Sequence, residues 1–192
     1  YINTTATFFE VELAEGEDFI GPDFGNVCLG PGGGRTLGYW SNKNGYSTMT
    51  NTIGMTTALN ALSALNLVDG NGNPFNPTSY TQFRTWLLNA KATNMAYMLS
   101  AQLAAMKLNV MAGFVNGGAF VYAPGVPGAN PAGFITVNDL MTAANSELGA
   151  HPYTPAGSPY RALQEVIKDA LDAANNNLNF VCPGPCLPIV YP

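Results

Sequence analysis

Between positions 95 and 108 the chain is apolar on nearly every face of a helical projection, with Met95, Met98, Leu99, Leu103, Met106 and Leu108 spread around it. A helix of that kind is stable only when other elements wrap it, so the rest of the sequence has to supply a jacket. The helical period recurs over residues 53–67, 80–91, 137–148 and 159–178, and the central helix itself extends over 94–110. The methionines read as core filler rather than as a metal-binding box.

Helix starts are signalled locally. Ser79 with Gln82 has capping-box spacing, Thr136 with Asp139 nearly so, and Ser158 before Pro159 combines an N-cap with a first-turn proline. In the last helix Tyr160, Leu163, Val166, Ile167, Ala170, Leu171, Ala174 and Leu178 fall at spacings of three and four, leaving Glu165, Lys168, Asp169 and Asp172 outside. Residues 119–123 predict a short strand inside a glycine-rich and proline-rich loop. Residues 187–191 predict an edge strand, because prolines at 188 and 192 exclude a central place.

The amino-terminal end follows a different rule. Over residues 5–13 the side chains alternate, with Phe9, Val11 and Leu13 on one face and Glu10 and Glu12 on the other, which is the period of a strand. Residues 16–34 carry glycines and prolines at a density that reads as a linker or hinge. The first 23 residues hold Glu10, Glu12, Glu15, Glu17, Asp18 and Asp23, half of the chain's 12 acids, and no Lys or Arg. With a net charge of −5, the chain is an anionic arm on a nearly neutral body. The expected fold is mainly α, with about five helices, an N-terminal β-strand arm and short edge strands, becoming α+β if the strands form a sheet. The expected organisation is an arm and hinge over 1–27, a helical body over 28–186 and a tail over 187–192.

At 192 residues the chain suits one well-buried domain with appendages. Charged residues are 10% of it, against roughly 25% in ordinary soluble domains, and a weakly charged surface resists self-association poorly. No apolar run approaches a membrane span and no basic stretch would serve nucleic acid, so neither partner is expected. The chain begins at Tyr1 rather than at Met, as a matured export substrate does, and a secreted, extracellular or cell-surface location is the expectation. Cys28 lies far from Cys182 and Cys186, which fits one long-range disulfide between the start and the end of the body. Closing a loop of about 150 residues is worth roughly 4–5 kcal/mol in the chain-entropy model. Three sulfurs and the single His151 make a poor zinc set, and the spacing of Cys182 and Cys186 is one residue too long for a thioredoxin-like pair.

The segment GRTLGYWSNKNG, from Gly34 to Gly45, joins turn-forming glycines, the large rings of Tyr39 and Trp40, and the backbone-bonding amides of Asn42 and Asn44. These residues suit a rigid corner. They also suit a ligand platform in which Trp40 and Tyr39 stack on a sugar ring, Asn42 and Asn44 reach its hydroxyls, and Phe120 and Tyr122 assist. The segment resembles the GYWKNH-like or GFWQNKNG-like signature of a widespread group of secreted bacterial proteins. The later stretches YTQFRTWLLNAKATNMAYMLSAQLAAMKLNV and SPYRALQEVIKDALDAANNNLNFVCPGPC look like the group's helical blocks and closing cysteine, so that the resemblance covers roughly residues 28–186. It implies secretion, and it implies a pairing of Cys28 with Cys186, with Cys182 as the departure and the alternative partner. The group's usual histidine is replaced here by Lys43 and Asn44, so no histidine-dependent role carries over.

Catalytic equipment is sparse. Asp69, Asn71 and Asn73 have the spacing of a calcium loop, but Pro74 and Tyr80 stand where an EF-hand needs glycine and glutamate, which leaves an ordinary turn or at most a weak calcium turn. His151 is followed by Pro152 and no GxSxG elbow accompanies it. Glu147, Glu165 and Asp139 lie on polar helix faces, where solvated acids are the default. GPGGGRT lacks the arrangement of a phosphate loop. Asn3, Thr4 and Thr5 form a glycosylation sequon. No enzyme activity, cofactor or resident metal is expected. The expected function is a secreted structural subunit that assembles with copies of itself into a filament or matrix, using Phe8, Phe9, Val11 and Leu13 as anchors and Glu10 and Glu12 for steering. The alternative is a monomeric module binding a cell-surface glycan.

Overall fold

The computed structural model describes residues 2–4, 10–12, 15 and 25–182. In chain order its elements are β1 (Ile2–Asn3), β2 (Asn26–Val27), β3 (Leu29–Gly30), α1 (Leu37–Trp40), α2 (Lys43–Thr48), a π-helical turn (Met49–Ile53), α3 (Met55–Ser63), α4 (Tyr80–Leu88), α5 (Met95–Met111), β4 (Phe120–Tyr122), β5 (Phe134–Thr136), α6 (Val137–Ala150), α7 (Arg161–Asn175) and β6 (Phe180–Val181). The protein is a mainly helical α+β fold. The five long helices are those the periodicity predicts, and the two short ones, α1 and α2, occupy the signature segment.

α5 is the axis of the body. It buries 13 of its 17 residues, Met95 and Met106 among them, and α1, α3, α6 and α7 pack around it. One apolar cluster runs from Trp40 to Phe180, so the body has a single core. Ser79 accepts a hydrogen bond from the Gln82 amide and Thr136 from the Asp139 amide, the two predicted caps. The third start moves: α7 begins at Arg161, and Ser158 instead belongs to a turn after Gly157, accepting from the Tyr160 amide at 3.4 Å. The predicted 53–67 helix also shortens. Gly54, at φ 88°, separates the π-helical turn from α3, and Leu67 and Val68 reach the core from a loop instead.

The buried face of α7 differs from the apolar stripe. Ile167, Ala170, Leu171 and Ala174 are inside as expected, together with Gln164 and Asn175, whereas Tyr160, Val166 and Leu178 face solvent. Polar residues enter this core because partners from α5 and the loops satisfy them, and a hydrophobicity pattern carries no record of partners.

The body's antiparallel sheet has strand order β3-β6-β4-β5, with Leu29 opposite Val181, Val121 opposite both Phe180 and Ile135, and Tyr122 opposite Phe134. β4 lies within the predicted 119–123 strand. β1 and β2 form a separate two-stranded sheet, Ile2 opposite Val27, extended by a bond from the Thr4 amide to the Gly25 carbonyl. The predicted strand over 5–13 is corrected where it can be followed: Glu10, Val11 and Glu12 are irregular and all three exposed. A half-buried strand needs one covered face, and here the apolar Val11 is as open as the acids. Phe8, Phe9 and Leu13 lie outside the described residues, as do Cys186 and the 187–191 strand.

The end of the presumed hinge is packed backbone. A Cβ on Gly34 would stand 2.2 Å from the Ala174 carbonyl oxygen, and one on Gly33, at φ 93°, would stand 1.9 Å from that of Phe114. Glycine density there answers a need for close approach to α7 and the loop after α5. Cys182, just after β6, donates its amide to the Cys28 carbonyl and keeps a free thiol, so the alternative pairing of Cys28 with Cys182 is not formed.

Gly34→Ala is expected to force the backbone apart, destabilising the body by about 1–3 kcal/mol. Each kcal/mol lowers Tm by roughly 2–4 °C for a chain of this size, so a thermal melt reads it directly. An unchanged Tm would show that the approach to α7 is not tight.

Candidate functional site

The signature folds into a corner clamped from inside by asparagines. Asn109 on α5, fully buried, accepts from the Arg35 amide and the Trp40 Nε1, each at 3.1 Å, and donates to the Arg35 carbonyl and to Asn175 Oδ1, each at 2.9 Å. All four hydrogen-bonding positions of the amide are filled. Asn177, in the left-handed conformation at φ 63°, accepts from the Gly32 amide and donates to the Gly34 carbonyl. The two side chains hold residues 32–35 as a neighbouring strand would.

From this clamp the chain turns twice. Thr36 caps α1 by accepting from the Tyr39 amide, and Asn42 caps α2 by accepting from the Asn44 amide. The turns close tightly because Gly45 lets the backbone pass Trp40: a Cβ there would meet the Trp40 Cα at 2.5 Å. Tyr39 packs edge-on against Trp40 and Phe114, bonds Thr48 through its hydroxyl, and lies under the Arg35 guanidinium. Trp40 is 0% exposed. The proposed stacking of Trp40 on a sugar is therefore corrected: its faces are covered by protein and its N–H belongs to Asn109. Phe120 and Tyr122 belong to β4, in the sheet of the body, and join no platform with Tyr39.

What the corner shows to solvent is its other side. Asn42, Lys43, Asn44 and Tyr46 are exposed beside α4, where they and Ser41, Tyr80 and Arg84 line an open cleft of about 680 Å³. Tyr80 donates its hydroxyl to the Asn42 carbonyl at 2.8 Å and to the Trp40 carbonyl at 3.1 Å, and Arg84 donates Nε to the Ser41 carbonyl at 2.8 Å. Burial pushes the Tyr80 phenol above its usual range, with the Arg84 charge offsetting part of that. Of the predicted platform residues, Asn42 and Asn44 are thus brought together with Tyr46, Tyr80 and Arg84, which the sequence reading passed over. The i, i+4 placement of Tyr80 and Arg84 in YTQFR, which puts both on one face of a helix, was the available signal.

The remaining candidates resolve into local structure. Asp69 accepts from the Asn71 and Asn73 amides through Oδ1 and from Asn73 Nδ2 through Oδ2. Its partial burial raises its pKa, but these bonds outweigh that and hold the carboxyl below 3.8. The Asp69, Asn71, Asn73 segment is a self-capped turn, and among the described residues no three of His, Cys, Asp and Glu gather in a metal-holding group. His151 Nδ1 pairs with Glu147 at 2.8 Å, Tyr160 stacks on its ring, and the pair adjoins Gln164 and the buried Thr154. Glu147 is therefore a tied acid of the core boundary, whereas Glu165 and Asp139 are exposed.

Compared with protein-family models, with curated proteins and with solved structures, the chain finds no match.

Asn109→Ala should leave the Trp40 N–H, the Arg35 amide and the Asn175 oxygen short of a partner. At about 1–3 kcal/mol for each orphaned group, a loss of at least about 3 kcal/mol is expected in denaturant unfolding; a loss below about 1 kcal/mol would remove Asn109 from its role. The Asp69 turn predicts a pH effect. A carboxyl whose folded pKa is depressed stabilises above its unfolded value and loses that as pH falls through the folded one. Between pH 5 and pH 3, values bracketing the ordinary carboxyl range, the parent should therefore lose more stability than Asp69→Asn, measured by urea unfolding.

Proposed function

We propose that this chain is a secreted structural subunit that assembles with copies of itself through its N-terminal arm. The observation that carries the reading is the pairing of the arm with itself. Among the described residues the arm's only ladder is between β1 and β2, both its own, while the body's sheet ends on the edge strand β3. Val11, between exposed Glu10 and Glu12, is 41% exposed, an apolar side chain left largely open. An apolar arm segment and an edge strand are complementary: main-chain bonds supply affinity and side-chain pockets supply register. Phe8, Phe9 and Leu13 would complete the anchor, and the acids would steer encounter toward basic side chains on a neighbour.

The body has the character of a building block. Its buried polar groups are tied into backbone clamps, and a weakly charged surface offers little repulsion between copies. A Cys28–Cys186 disulfide belongs to the proposal, supported by the free thiol of Cys182 and by the bond between the Cys182 amide and the Cys28 carbonyl, which sets the two ends of the body side by side. Such a closure requires an oxidising compartment, in keeping with export.

The test is negative-stain microscopy with mass photometry on the protein with and without residues 1–15. Filaments or sheets that vanish on truncation are the expected result. Monodisperse particles of about 20 kDa, the mass of one chain, from both proteins would overturn the reading.

A further inference from the structure

The cleft between α2 and α4 is the surface feature that the assembly reading leaves unused. Its volume of about 680 Å³ lies within the range of small-molecule sites. Its wall is aromatic: Tyr46, 50% exposed, meets Tyr80 edge-on with centroids 5.0 Å apart. Tyr80 is pinned by two backbone carbonyls, so the aromatic pair has a fixed member and an open one. Fixed geometry lowers the entropy lost on binding.

The polar groups are of two kinds. The side-chain amides of Asn42 and Asn44 stand at the rim with donors and acceptors of the sort that pair with hydroxyls. Lys43 and Arg84 bring two of the chain's seven basic side chains to one cleft, and among the described residues no carboxylate lines it. Arg84 is oriented by its Nε bond to Ser41, and neither of its Nη groups has a partner among the described residues. A guanidinium held at one nitrogen with its fork unused is arranged for a carboxylate.

We propose that this cleft binds an acidic saccharide, a uronate-bearing glycan. One ring lies against Tyr46, its hydroxyls face Asn42 and Asn44, and its carboxylate meets Arg84 and Lys43. The site uses the exposed side of the signature corner whose buried side holds the fold, and it does not depend on the arm.

Calorimetric titration of the intact chain with a uronate oligosaccharide, with a neutral oligosaccharide of equal length and with inorganic phosphate tests this. Saturable uronate binding is expected, at least tenfold tighter than for the other two, weakening as salt is raised because exposed charges are screened. Lys43→Gln, whose side chain makes no hydrogen bond among the described residues, should weaken it at least tenfold while the melting curve stays unchanged, and Tyr46→Ala should weaken it at least tenfold with a melting point lowered by no more than a few degrees, from the lost edge contact with Tyr80. Lys168→Gln, on α7, should leave binding intact. Absence of saturable uronate binding, equal binding of the neutral sugar or of phosphate, or indifference to both cleft variants would each overturn the proposal. None of these outcomes bears on whether truncating the arm abolishes assembly, so the two readings fail separately.

Discussion

The fold depends on one side-chain amide in the last turn of its most apolar helix. Asn109 sits on α5 with no solvent contact and joins three parts of the chain: the backbone at Arg35, the indole of Trp40, and Asn175 of α7. From Asn175 the network continues to the side chain and carbonyl of Gln102, and from Gln102 to Asp172. In a low-dielectric interior such a chain is strong when complete and costly when broken, so it selects one arrangement of α1, α5 and α7 over other ways of packing the same apolar surface.

The glycines next to it follow from the same requirement. Asn109 and Asn177 can grip residues 32–35 only if that backbone lies directly on α7 and on the loop after α5, and a side chain at Gly33 or Gly34 would hold it away. Once the segment is seated, Trp40 is drawn into the core and Tyr80 and Arg84 cap the carbonyls that the two turns leave at Trp40, Ser41 and Asn42. The signature is thus a two-sided object. Its inner residues hold the body together, and its outer residues form a cleft of aromatic, amide and cationic groups.

This division bears on how the molecule is put to use. The body presents a rigid frame whose buried polar groups are nearly all matched; among the described residues Asn179 Oδ1 is the buried side-chain atom without a partner. The arm carries half of the acids, and among the described residues its strand β1 pairs with β2 at its own root. The proposed assembly and the proposed saccharide binding would use different residues of one subunit.

The sequence alone determined the helices, because their signals are local: the period of α5, the caps at Ser79 and Thr136, and the strand at β4 depend on neighbours a few residues away. It also carried the mainly α character with small strands, and the glycine-rich corner around Tyr39 and Trp40. The tertiary structure decided which side of that corner faces out. Trp40 turned inward because Asn109, 69 positions later, accepts its N–H, and Gln164 and Asn175 entered the core because distant partners satisfied them. Tyr46 and Arg84 became neighbours only when α2 and α4 were docked by bonds across about 40 residues of chain. Hydrophobic period and capping are written in short windows, whereas the pairing of a buried polar group is fixed by whatever folding brings beside it.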